Sequence, residues 1–169
     1  VLIASALGLL LALAVAGVVL GRFHWVHAFV YSGCTVASLA LLVGGLRHLG
    51  GPVDASPALV LPFGLPWINA HFRIDNLSAL FMVIVDVSAT AASVFAIGYG
   101  AHVPEPRRVT PFFPLFLFGM NAVLIADDAF VFLVSWEFMS LASWALVLSD
   151  HTRAESRRAA FVYLTMAAF

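Results

Sequence analysis

Five apolar runs, each about twenty residues long and bounded by polar or turn-forming residues, constrain this chain more than any other feature. They are Val1–Leu20, Ala28–Leu46, Asn76–Gly98, Val109–Ala126 and Ala129–Ser149. A helix rises about 1.5 Å per residue and a bilayer's hydrocarbon is about 30 Å thick, so each run has roughly spanning length. The breaks between them are Gly21-Arg22, Arg47–Asp75, Tyr99–Arg108, Asp127-Asp128 and Asp150–Arg157. A sixth run begins near Arg158 and stops at Phe169, too short to cross. Composition agrees, because only 10% of the 169 residues are charged and 63% are hydrophobic, against roughly 25% charged in an ordinary soluble domain. The expected fold is therefore all-α: a polytopic membrane helix bundle with five complete transmembrane helices and a truncated sixth. The missing initial Met and the apolar end suggest the N-terminal part, residues 1–169, of a longer membrane domain.

Two boundaries need a choice. Ala14-Val15-Ala16 looks like a leader-cleavage site, yet no basic region precedes it and twenty residues is spanning length, so Val1–Leu20 reads as a helix, with a cleaved leader as the alternative. A single helix over Val109–Ser149 would stretch to roughly 60 Å and bury Asp127 and Asp128 at about 2.5–3.5 kcal/mol each. Two helices joined by a tight Asp-Asp turn fit better, provided the turn borrows neighbouring residues.

Arginine bias sets the expected orientation. With the N-terminus outside, inner loops hold Arg22, Arg107, Arg108, Arg153, Arg157 and Arg158, and outer ones hold Arg47 and Arg73; basic residues favour the inner side. Residues 47–75 then lie outside. Pro52, Pro57, Pro62 and Pro66 prevent a helix there, so an extended loop or an irregular hairpin around Pro62–Pro66 is expected, with Trp67 at headgroup depth. Small residues recur at four-residue spacing in Ala4/Gly8/Ala12/Ala16, in Gly33/Ala37/Gly45 with Leu41 interrupting, and in Ser88/Ala92/Ala96/Gly100, a pattern that lets helices approach closely in lipid.

Three polar side chains inside the runs are costly to leave in lipid: Asp86 about 16 Å from the outer end of its helix, Glu137 about 12 Å and Asn121 about 9 Å. Glu137 reads first as an ion- or proton-handling carboxyl, with Ser135, Ser140 and Ser143 able to hold water beside it; a structural interhelical carboxyl is the alternative. For Asp86 the two readings stand level, and Asn121 reads as an interhelical hydrogen-bonding residue. No Arg or Lys lies within a run, so either the carboxyls are protonated or a cation comes from elsewhere. The single Cys34 and the six scattered His residues form no recognisable metal or redox motif, and a phosphate loop or catalytic triad is not expected either. Catalytic, cofactor and metal residues are thus expected to be absent from this chain. A net charge of −1 without a basic run argues against nucleic acid as a partner.

The stretch Gly119–Leu146, centred on Trp136-Glu137-Phe138-Met139-Ser140-Leu141-Ala142-Ser143-Trp144, resembles the antiporter-like membrane subunits shared by respiratory complex I, Mrp-type cation/proton antiporters and membrane-bound hydrogenases. It looks most like the hydrogenase-4 and formate hydrogenlyase branch. Phe72-Arg73-Ile74-Asp75-Asn76-Leu77-Ser78-Ala79-Leu80-Phe81 and Tyr163-Leu164 agree, while the first two helices match only in hydropathy. The resemblance implies a larger helical bundle in the cell inner membrane, with the N-terminus outside and with other membrane and peripheral oxidoreductase subunits as partners. It also implies proton or sodium movement coupled to electron transfer in those partners. The family's fifth-helix glutamate falls on Glu137, and the seventh-helix lysine that it is thought to modulate would lie beyond Phe169. Asp86 departs from the family pattern, in which a neutral residue is usual. Two alternatives remain, a scaffold that anchors a peripheral hydrogenase without moving ions and a stand-alone antiporter subunit.

Overall fold

The computed structural model describes residues 1–51, 58–65, 68–100 and 106–167. Pro52, Pro57, Pro66 and Trp67 of the outer-segment reading lie outside the described residues. The elements in chain order are α1 (Leu2–Leu20), α2 (Val26–Leu49), β1 (Leu59–Leu65), β2 (Ile68–Phe72), α3 (Asn76–Tyr99), α4 (Pro106–Val109), α5 (Phe112–Ile125), α6 (Ala129–Val147) and α7 (Ala154–Ala167). The fold is an all-α membrane bundle with one small hairpin.

Four helices are long and apolar enough to span: Leu2–Leu20, Val26–Leu49, Asn76–Tyr99 and Ala129–Asp150, the last including the 3₁₀ turn Leu148–Asp150. The fourth apolar run, Val109–Ala126, is not helical throughout. It turns at Thr110-Pro111, and α5 begins at Phe112, because proline lacks an N–H and is tolerated only in a helix's first turn. Its 14 residues reach about 21 Å, short of the hydrocarbon thickness. The last helix starts at Ala154 rather than near Arg158, because Arg157 donates to the carbonyls of His151 and Thr152 and closes its first turn.

α1 and α2, joined by a short connection, run antiparallel, and so do α2 and α3, which the hairpin segment joins. Gly33 lies against Leu13 and Gly44 against Ile3, which fixes α1 on α2; Gly45 meets Ala79 and Val83 while Gly100 meets Tyr31, which fixes α2 on α3. Gly119 packs so closely on α6 that a Cβ there would sit 2.8 Å from the Met139 Cα, a backbone atom that cannot swing aside. Leu10, Val30, Cys34, Leu41 and Met82 form the fully buried centre of the bundle. Of the three small-residue stripes, the Gly33/Ala37/Gly45 stripe packs, with Ala37 and Gly45 buried. Ala4, Gly8 and Ala12, and Ser88 with Ala92, lie exposed, because α1 turns its bulkier Leu7, Leu10 and Leu13 inward and α3 turns Ala79, Met82, Asp86, Ala89 and Ser93 inward.

The proline-rich segment contains an antiparallel hairpin with its ladder interrupted. Leu59 to Leu61 pair with Phe72 to Ala70, and pairing then resumes at Gly64 with Asn69. Pro62, which has no N–H to offer the ladder, falls inside that shift. The last residue of β2, Phe72, also pairs with the α5–α6 turn, through a bridge to Ala126.

Candidate functional site

The inward face of α3 repeats every three or four residues, and this spacing places Asp86 in the seam against α2 and α5. Asp86 and Asn121 are both fully buried. The Asn121 Nδ2 donates to Asp86 Oδ1 at 3.3 Å and to the Leu117 carbonyl at 3.2 Å, so both amide protons are used. Neither α3 nor α5 contains Arg, Lys or His. Asp86 Oδ2 and Asn121 Oδ1 have no hydrogen-bond partner among the described residues, and neither do the buried hydroxyl oxygens of Ser38 and Thr90. An unpaired polar atom in an apolar interior costs about 1–3 kcal/mol. This arrangement can hold a proton on the carboxyl, accept water, or do both.

Glu137 stands apart from that seam. It is exposed on α6, on a face shared with the exposed Phe132, Leu133, Trp136 and Leu141, whereas Ser135 and Ser140 turn into the protein and are buried. The structure brings Asp86 and Asn121 together and does not bring Glu137 to them. Ser140 is on the buried face of α6, and Ser143 is half-buried.

A second polar cluster joins the hairpin to the Asp-Asp turn. Asp128 is the N-cap of α6: its Oδ1 accepts from the Val131 N–H at 2.8 Å, and its Oδ2 accepts from the His71 N–H at 2.8 Å. The Arg73 guanidinium donates twice to Asp127 Oδ1, from Nε at 3.0 Å and from an Nη at 2.8 Å. Backbone bonds complete the join, Arg73 N–H to the Ile125 carbonyl and Asp127 N–H to the His71 carbonyl. Burial alone would raise the Asp128 carboxyl, yet the N–H donors of Val131, His71 and Phe130 outweigh it and hold the group below the usual carboxylate range. Asp75, the N-cap of α3, is likewise held low, first by the Ser78 N–H at 2.7 Å. Hydrogen bonds from Arg73 to Asp127, and the Asp127 charge, push the guanidinium still higher.

Sequence reasoning anticipated polar residues at these positions but not the join between them. Arg73 and Asp127 are 54 residues apart, and no local pattern announces such a contact. A cavity of about 630 Å³ opens beside this cluster, between α1, α5 and the hairpin. Its lining is apolar apart from Arg47 and Arg73, and it reaches neither Asp86 nor Glu137. Among the described residues no group of three His, Cys, Asp or Glu is placed to hold a metal ion.

The two segments joined here, Phe72–Phe81 and Gly119–Leu146, are also the ones that carry the family resemblance. Sequence comparison agrees. The chain is 30% identical over 118 residues to hydrogenase-4 component B of Escherichia coli, covering 68% of this chain and 18% of that protein. It is 28% identical over 153 residues to NADH-quinone oxidoreductase subunit L of Mycobacterium tuberculosis, covering 82% and 24%. The chain belongs to the antiporter-like membrane-subunit family. An uncharacterized protein of Mycobacterium tuberculosis is 33% identical over 137 residues, covering 81% of this chain and 20% of that protein. The chain thus spans about a fifth of the length of the relatives it matches. No family model matches it. Four spanning-length helices and membrane-subunit relatives identify this member as an integral membrane protein.

Proposed function

We propose that this chain is the N-terminal part of a membrane subunit in a hydrogenase-4/formate hydrogenlyase-like or complex I-like oxidoreductase, where it couples electron transfer in partner subunits to proton or sodium movement. The observation that carries this reading is Asp86, a fully buried carboxyl whose bonded partner is an amide rather than a cation. A group so placed changes its charge at low cost only when an ion or proton arrives with it. Glu137 is the second ion-path residue, at the position where the family carries its fifth-helix glutamate; its exposed face on α6 offers the surface on which further helices of a longer subunit pack. Asn121 supports Asp86 through its amide, while Ser140 lies on the buried face of α6, away from the exposed Glu137. The arginine distribution puts the N-terminus, the hairpin and the Asp127-Asp128 turn on the outer side of the cell inner membrane.

The test is Glu137→Gln in the intact complex, with electron transfer and ion movement measured together. The proposal expects assembly and electron transfer to persist while fewer ions move per electron; an unchanged ratio overturns the role of Glu137. A scaffold that does not move ions is the second reading, and the Asp86–Asn121 bond favours it, since an interhelical carboxyl–amide contact also serves packing. That reading expects Asp86 and Glu137 variants to lower the yield of complex without changing the ratio in the complex that forms.

A further inference from the structure

Buried polar side chains near Asp86 are unevenly distributed along the seam. Toward the hairpin end, the inward positions are apolar: Met82 and Ala79 on α3, Leu41 and Gly45 on α2, and Ala122 and Ile125 on α5. Toward the opposite end polar side chains enter among the apolar Ala89, Ala37, Leu117 and Pro114. Thr90 and Ser93 follow Asp86 by one and two turns of α3, and Ser38 faces them from α2. The antiparallel register supports that placement, because Gly45 lies at Met82 and Tyr31 at Gly100, so Ser38, midway between 31 and 45, falls near residue 91 of α3. Farther along, Cys34 is buried one turn from Ser38, and the side chains of Tyr31 and Thr110 are hydrogen-bonded to each other beside the start of α5.

Ser38, Ser93 and Asp86 are fully buried, and Tyr31 and Thr110 nearly so. Ser93 Oγ donates to the Ala89 carbonyl, whereas the oxygens of Ser38 and Thr90 and Asp86 Oδ2 are unpartnered among the described residues. Three unpartnered oxygens within about one helical turn are the kind of lining that retains water, which needs two to four polar partners. Of the titratable groups on the packed elements, Cys34 and Tyr31 on α2 lie toward the polar end, His27 on α2 sits beside Gly100 at that end, and α5 contributes none. No Arg, Lys, Glu or second Asp on α2, α3 or α5 lies between Asp86 and that end.

We infer that the α2–α3–α5 seam is a one-sided proton inlet, exchanging the Asp86 proton through Ser38, Thr90, Ser93, Tyr31 and Thr110 with the membrane face that carries Arg108. One proton passes from Asp86 Oδ2 to water held between it and the Thr90 and Ser38 hydroxyls, and that water returns another to the carboxylate, so the carboxyl ends each exchange neutral. This inference rests on the ion-moving reading and adds its direction of access, a route separate from Glu137.

The experiment uses the full-length subunit in its complex, reconstituted in lipid. The infrared carbonyl band of protonated Asp86 is identified by its loss in Asp86→Asn, and its exchange is followed after transfer to deuterated water. The expected result is ready exchange in the unaltered protein and exchange about tenfold slower when Ser38→Ala and Thr90→Val are combined, equivalent to about 1.4 kcal/mol on the barrier. Met82→Leu, on the apolar side, leaves the rate unchanged. Equal exchange rates with and without the two hydroxyls overturn the inlet, as does the absence of any carbonyl band lost in Asp86→Asn. If the hydroxyls govern exchange but Asp86→Asn leaves ion movement per electron unchanged, the inlet stands and the coupling reading falls.

Discussion

Replacing Asp128 by Ala removes two short hydrogen bonds at once and loosens the hairpin at the start of α6, where the Arg73–Asp127 pair and two backbone bonds remain. The loss of the N-cap on Val131 costs about 1 kcal/mol, and leaving the half-buried His71 N–H without its acceptor costs about 1 kcal/mol more. The sum of about 2 kcal/mol corresponds to a roughly thirtyfold rise in local opening. Asp128→Asn keeps one oxygen for the cap but offers the His71 N–H a second donor, so it should lose about half as much. The assay is amide hydrogen exchange on the full-length subunit in lipid nanodiscs, read at His71, Asp127 and Val131. The amides of His71, Asp127 and Val131 should lose protection together in the Ala variant, because Asp127 N–H bonds the His71 carbonyl within the same cluster. Protection unchanged at His71 and Asp127 would refute the reasoning that this carboxylate is one of the couplings between the hairpin and the helix.

Acid should loosen the same cluster. The Asp128 and Asp75 carboxyls lie below their usual range in the folded protein, so their stabilisation is fully present above that range and is lost as pH falls through the depressed values; an acid series of the exchange experiment checks this, and the Asp128→Ala variant should lack the Asp128 part. Gly119→Ala should part α5 from α6, since the added Cβ meets Met139 backbone, and overpacking of this kind costs about 1–3 kcal/mol; unfolding titration in mixed micelles measures it. Asn121→Leu should destabilise by about 1–3 kcal/mol through the stranded Asp86 carboxyl, whereas adding Asp86→Leu to it should restore most of the loss, because removing both partners is nearly neutral; the yield of folded subunit reads the difference.

Helix existence was legible because twenty apolar residues between polar breaks leave a chain few alternatives in lipid. The start of α5 was less so: Val109 continues the hydropathy of its run, and only the prolines at 111 and 114 signal that regular helix waits until Phe112. That Asp86 is buried followed from the cost of an intramembrane charge, and the structure adds its amide partner 35 residues away. The face taken by Glu137 could not be read in advance. The helix that carries it is apolar nearly all round, with exposed Phe132, Leu133 and Leu141 as hydrophobic as its buried Val131, so periodicity does not select an inner side. The join of Arg73 to Asp127 and of His71 to Asp128 depends on how the hairpin folds back over the α5–α6 turn, a long-range outcome that residue spacing does not encode.

The central claim is that a buried carboxyl bonded to an amide rather than a cation takes part in ion movement, and Asp86→Asn in the assembled complex tests it most directly. The measurement is ions moved per electron transferred, normalised to the amount of complex formed. The account predicts that the Asn side chain, similar in size and unable to take up or release a proton, preserves assembly and electron transfer and lowers the ratio. A normal ratio in fully assembled Asp86→Asn complex would contradict it and leave Asp86 as an interhelical contact.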